Sequence, residues 1–111
     1  MSYVVTDLRK IVGNRTDQTS YHLASEDHFR VQIFNLRPQE RLGKWKFEGN
    51  AIVTIISGEA IISVGDQSEL ARPMCQAIIP KGIRFGINAQ TSSATVQIIW
   101  SPPFAKTEEV A

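Results

Sequence analysis

Histidine, cysteine and paired carboxylates are the side chains that most often carry chemistry, and this sequence has few of them. There are two histidines, His22 and His28, and one cysteine, Cys75. Glu26 and Asp27 lie between the histidines and could suggest a surface metal site. Their spacing fits neither a helical pair nor a known ligand motif, and the segment reads as a turn. Cys75 reads as an inert, partly buried small residue. A reactive thiol needs an electropositive setting, and only the nearby Arg72 hints at one. Nothing in the sequence brings either histidine near a nucleophile, so no Ser-His-Asp or Cys-His set can be assembled and no catalytic residue is assigned. Arg37, Arg41, Lys44 and Lys46 form a basic run that could touch phosphates. Glu40 and Glu48 dilute it, and the net charge of the chain is +1. A solvated face is expected there, with neither nucleic acid nor membrane as partner.

The most telling pattern is aromatic. Lys44-Trp45-Lys46-Phe47 alternates charge with ring. On a strand, successive side chains point to opposite faces, so Trp45 and Phe47 share one face and the two lysines the other. The aromatic face is expected to point inward.

The elements that must position these rings are strands. Ala51 to Gly58 and Glu59 to Val64 are β-branched runs broken by glycine, and Gly65-Asp66 suits a hairpin turn. Phe29 to Leu36, Gln76 to Ile79, Ile83 to Asn88 and Thr95 to Trp100 are further strands. Phe29, Val31 and Ile33 fall on one face of their strand, with Arg30 and Gln32 on the other. Tyr21 to Ala24 reads as a short strand, and Ser25-Glu26-Asp27 as a turn. Pro38 to Gly43 and Asn14 to Ser20 read as loops. Pro80-Lys81-Gly82 makes a corner. Ser101-Pro102-Pro103 ends the last strand, because proline cannot donate to a ladder. The tail to Ala111 is polar and is expected to fray. Near the start, Thr6 or Asp7 could cap a short helical turn with Leu8, Ile11 and Val12 on its apolar face and Gly13 at its end.

Composition sets the scale. At 111 residues and 42% hydrophobic content, the chain can fill one core. A single domain is expected over residues 1–111, with an N-terminal arm (1–28), a barrel (29–103) and a tail (104–111). No apolar run approaches the length that spans a bilayer, and charges through residues 1–20 leave no signal-peptide core. With a lone cysteine, this predicts a cytoplasmic protein. Many short strands and almost no helix point to a sandwich or barrel.

From Phe29 to Pro103 the chain resembles a small single-domain cupin, a jelly-roll β-barrel or double-stranded β-helix. The first motif of that family is G-x-x-x-x-x-H-x-H-x-x-x-E-x-x-x-x-x-x-G, and Gly58 fits its final glycine. The second is G-x-x-x-x-x-P-x-G-x-x-H-x-x-x-N, and Pro80 and Gly82 fit its Pro-x-Gly. The departures fall on the metal ligands. Counted without gaps, Trp45, Phe47 and Ala51 stand at the two histidines and the glutamate of the first motif. Phe85 stands at the histidine of the second and Ala89 at its asparagine. Gln39 and Met74 replace the leading glycines. A one-residue shift would place Lys44 and Lys46 at the histidine positions instead, burying two ammonium groups at several kcal/mol each by order of magnitude. Neither count leaves a metal ligand. The resemblance therefore implies an all-β cupin-like fold without a metal or other cofactor, and the family's metal-dependent activities are not carried over.

Trp45, Phe47, Ala51, Val53 and Phe85 then either line a pocket for a small apolar or aromatic molecule or fill the barrel. Gln32 and Gln97 could partner the Trp45 indole or orient a ligand, although strand alternation favours an outer face for both. Three functions are open: a non-enzymatic binder, a structural or regulatory homodimer with a filled barrel, and a metal-independent isomerase or epimerase acting on a sugar-like or keto substrate. The last needs an inward acid or base. A homodimer is expected in any case. Ala51, Val53 and Ile55 turn inward in this phase, so Ile52 and Ile56 turn outward with only Thr54 polar between them. Such a face needs cover from the Leu8–Val12 turn or a twofold partner.

Overall fold

The computed structural model of the chain describes residues 5–12, 20–25 and 27–110. Among them, a 3₁₀ turn at Leu8–Lys10 precedes ten strands. These are β1 (Ser20–Ser25), β2 (Arg30–Leu36), β3 (Arg41–Phe47), β4 (Asn50–Ser57), β5 (Ala60–Val64), β6 (Gln67–Ala71), β7 (Gln76–Ile79), β8 (Arg84–Ala89), β9 (Ala94–Ser101) and β10 (Thr107–Glu109). They form two antiparallel five-stranded sheets, β1-β2-β9-β4-β7 and β10-β3-β8-β5-β6. The expected jelly-roll barrel is the observed fold. No described helix is long and apolar enough to cross a membrane.

Alternation decides what fills the space between the sheets. Ala51, Val53 and Ile55 of β4 and Val96, Ile98 and Trp100 of β9 all face inward and are buried. Phe47, Phe85, Ile87 and Ile62 meet them from the other sheet. The phase expected for Trp45, Phe47 and β4 is the one found. That of β2 is not fully as expected: Phe34 and Leu36 join the core, which turns Gln32 and Arg30 to the same inner side. Both faces of β2 carry apolar residues, so its own alternation could not choose between them. Pairing with β9 chose, setting Arg30 opposite Trp100 and Gln32 opposite Ile98.

Three turns support the gap-free motif count. Gly58 has φ +73°, and a Cβ there would collide with the carbonyl oxygen of Ser93. Gln39 and Met74, at the positions of the two leading glycines, adopt φ of 66° and 76°. This left-handed region is costly for residues with a Cβ. Backbone bonds hold both turns: Gln39 N–H donates to Gln90 O (3.0 Å), and Met74 N–H donates to Ile55 O (3.0 Å). In the Pro80 corner, Gly82 N–H donates to Phe47 O at 2.9 Å, tying the second motif to the first.

The ends of the chain differ from expectation. The tail does not fray: β10 pairs with β3, setting Thr107 opposite Phe47 and Glu109 opposite Trp45. An open strand edge offers unpaired backbone groups, and the tail takes them up. Lys106 Nζ lies 2.7 Å from Glu108 Oε1, and this hydrogen bond holds the Glu108 carboxyl below its usual range. β3 also begins at Arg41, inside the stretch expected as a loop. At the N-terminus, Asp7 caps the turn by accepting from Arg9 N–H (3.1 Å), and Leu8, Ile11 and Val12 are half-buried. Gly13, most of the Asn14–Ser20 loop and Glu26 lie outside the described residues.

The outer face of the β1-β2-β9-β4-β7 sheet has two unlike ends. At one, Asn35 donates to Ile11 O (2.9 Å) and accepts from Thr95 Oγ1 (2.7 Å), so the N-terminal turn closes over a buried polar pair. At the other, registers align Val31, Ile99, Ile52 and Ile78 in one row across β2, β9, β4 and β7. Ile78 is 61% exposed.

Candidate functional site

The place where the family motif would put a metal is filled by rings. Trp45 and Phe47 come from β3, Phe85 from β8, Phe34 from β2 and Trp100 from β9. Trp100 lies 4.9 Å from Phe47, 5.6 Å from Trp45 and 6.1 Å from Phe85, centroid to centroid. Trp45 lies 5.9 Å from Phe85, edge to face, and 6.1 Å from Phe34. Tilted and edge contacts of this kind add about 0.5–1.5 kcal/mol each beyond the area buried. Transition metals need imidazole, carboxylate or thiolate donors converging on one point. Trp45, Phe47, Ala51 and Phe85 supply none, so the residues present do not fit the family's metal. Among the described residues, no group of three or more His, Cys, Asp or Glu could hold one elsewhere.

The deep part of this cluster is closed. Phe47 and Phe85 are each 1% exposed, and Ala51 and Val53 beside them are sealed as well. These four do not line an open space, because side chains from both sheets fill the width of so small a barrel. Along this cluster, space opens at the mouth. A cavity of about 260 Å³ is lined by Arg30, Gln32, Phe34, Trp45, Trp100 and Thr107. Of the residues expected to line a pocket, Trp45 and Gln32 do so. Gln97 does not: it pairs with Ile33 and Thr54 on the outer face of its sheet.

Polar groups at the mouth are few and positioned. Trp100 Nε1–H donates to Gln32 Oε1 at 2.9 Å. The sequence offers Gln32 as one possible acceptor for the Trp45 indole; in the structure Gln32 accepts from Trp100. The guanidinium carbon of Arg30 lies 5.3 Å from the Trp100 ring centroid and 5.9 Å from that of Phe104. The Nε of Arg30 is buried without a hydrogen-bond partner, and this burial lowers the pKa of the group. Arg30, Phe34, Trp100 and Thr107 were not singled out from the sequence. One signal was there for Trp100: it continues the inward series of Ala94, Val96 and Ile98.

The other candidates lie apart from the mouth. Cys75 is exposed, not partly buried as expected, and Arg72 beside it is engaged with Glu59 (3.1 Å). It borders a larger cavity of about 430 Å³ between the β6 and β7 edges, which has no aromatic wall. His28 is exposed, and its carbonyl accepts from Ser101 Oγ. His22 lies on β1. Of the basic run, Arg37, Arg41 and Lys44 are exposed; Lys46 sits across from Arg84 and Glu108.

Solved structures share this architecture. A protein with a double-stranded β-helix domain from Klebsiella pneumoniae superposes with a TM-score of 0.83 at 14% identity, covering 99% of each chain. A cupin superfamily protein from Desulfitobacterium hafniense superposes at 0.76 with 20% identity, over 91% of this chain and 93% of its own. The fold is that of a cupin. At these identities the likeness extends to the fold alone. A cupin fold is also found in an enzyme, the DMSP lyase DddQ from Ruegeria pomeroyi (TM-score 0.74, 14% identity, 82% of this chain and 50% of that one). No protein-family model and no curated protein matches this chain in sequence.

Proposed function

We propose that this cupin-fold protein is a metal-independent, non-enzymatic binder of a small, flat, largely aromatic molecule at the mouth of its barrel. One observation carries the reading: the cavity is walled by Phe34, Trp45 and Trp100 where the family motif would place metal-ligating histidines nearby. Aromatic walls with a few placed polar groups are the usual make-up of small-molecule sites. The reading as an isomerase or epimerase has less support, since the cavity lining includes no carboxylate, imidazole, amine or phenol to move a proton. A cytoplasmic setting suits the single exposed thiol.

The test uses indole as probe. Trp45 and Trp100 are the only two tryptophans, so both indole N–H signals in ¹H–¹⁵N spectra report on the site. Indole should shift both signals, and Trp45→Ala should weaken binding sharply. No shift at millimolar indole overturns the reading. Elemental analysis of natively purified protein should find no stoichiometric transition metal. Near one equivalent of iron, manganese, zinc or nickel surviving mild chelation would refute metal independence.

A second element of the proposal is a twofold dimer through the outer face of the β1-β2-β9-β4-β7 sheet. The row of Val31, Ile99, Ile52 and Ile78 favours it. Contiguous apolar rows are rarely left in water, and a C2 pairing is the commonest way to cover one.

A further inference from the structure

An aromatic slot alone does not account for Arg30. Arg30 is half-buried, and a cation that gives up part of its hydration is stabilised by a partner. Register places Ser25 and Trp100 beside Arg30, and neither is an anion. Its buried Nε has no acceptor, and none of the ion pairs among the described residues involves it. Among the described residues, neither Asp27 nor Glu109, which stands opposite Trp45, lines the cavity, and both are exposed. Trp100 and Phe104 offset part of the cost, because the face of a ring attracts a cation.

A ring face attracts the charge but offers no lone-pair acceptor to the N–H groups. The guanidinium therefore still has hydrogen bonds to give in its own plane. Gln32 stands next along the inner face of β2, with its Oε1 committed to Trp100 and its amide NH₂ left as a further donor. Thr107 adds a hydroxyl on the opposite wall. The cavity thus has one wall of rings and one end of donors carrying a single positive charge. That charge matches one carboxylate better than a phosphate dianion, and a guanidinium fork fits the two carboxylate oxygens.

We infer that the mouth is selective for a planar aromatic monocarboxylate, with its ring against Trp45 and Trp100 and its carboxylate on Arg30. This rests on the mouth being the binding site, as proposed above, and adds the charge of the ligand.

Benzoate and benzamide share a ring and nearly a shape, and differ in charge. Each is titrated into the full-length protein at pH 7 and fixed ionic strength, with the two indole N–H signals as readout. Wild type should bind benzoate about tenfold or more tighter than benzamide, the range of a charge-assisted bond. Arg30→Met keeps an unbranched side chain over Trp100 and should bind both probes alike. Arg30→Gln serves the same purpose if the methionine variant does not fold. Equal affinities in wild type overturn the inference and leave the aromatic site standing. A benzoate preference that survives loss of the guanidinium overturns it as well. If neither probe nor indole moves the signals at millimolar concentration, the site itself falls, and this inference with it.

Discussion

Phe47 and Trp45 stand two residues apart on the same strand and face the same way, yet they occupy different environments. Phe47 is sealed among apolar side chains from both sheets. Trp45 is half-buried beside Arg30, Gln32 and Thr107. Trp100 touches both and joins the closed interior to the open mouth. The deep region is apolar throughout, so it contributes burial energy and little else. The mouth retains polar groups on inner-face positions, including a buried Nε without a partner. An unsatisfied buried donor costs stability, and such costs are tolerated chiefly where a ligand can meet them. The fold is held by one part of the barrel and the recognition chemistry lies in another, a short distance along the same strands.

Four substitutions test this contrast. The largest effect is expected deep in the barrel: Phe47→Ala should lose about 3–5 kcal/mol in denaturant melts, whereas Trp45→Ala at the mouth should lose about 1–2 kcal/mol. A loss well under 1 kcal/mol for Phe47→Ala would mean that the interior is not closed. Gln32→Leu leaves the Trp100 indole N–H without its acceptor and should cost about 1–3 kcal/mol. Trp100→Phe, alone and combined with Gln32→Leu, completes a double-mutant cycle, and the combined loss should be smaller than the sum of the two. Additive losses would mean that the bond carries little.

On the outer face of the same sheet, Ile52→Glu puts a charge into the row formed with Ile78 and Ile99. Light scattering coupled to gel filtration at low micromolar concentration should give a dimer for wild type and a monomer or aggregate for the variant. A monomeric wild type would sink the dimer and leave the row to solvent. The smallest effect is expected at Met74, whose φ of 76° suits glycine. Relief of the left-handed strain should outweigh the entropy of a freer unfolded chain, so Met74→Gly should stabilise by about 0.5–1 kcal/mol. Destabilisation would show that the Met74 side chain, though exposed, makes a contact that matters.

The sequence by itself determined what local rules control. Alternation placed Trp45, Phe47, Ala51 and Val53 on the inner face, glycines and prolines marked the breaks, and motif spacing marked Gln39 and Met74 as glycine positions, where the backbone proved left-handed. These signals are short-range: side-chain period, turn conformation and the missing donor of proline act within a few residues. The tertiary structure decided what depends on which strands pair. Gln32 turned inward and Gln97 outward because β2 and β4 both align against β9. Arg30 came to lie over Trp100, and β10 closed onto β3, through registers between segments far apart in the chain. A strand apolar on both faces, as β2 is, fits either phase in isolation, and a one-residue slip would exchange its faces. Only the partner strand fixes the choice, which is why the barrel was legible in the sequence while the charged end of its mouth was not.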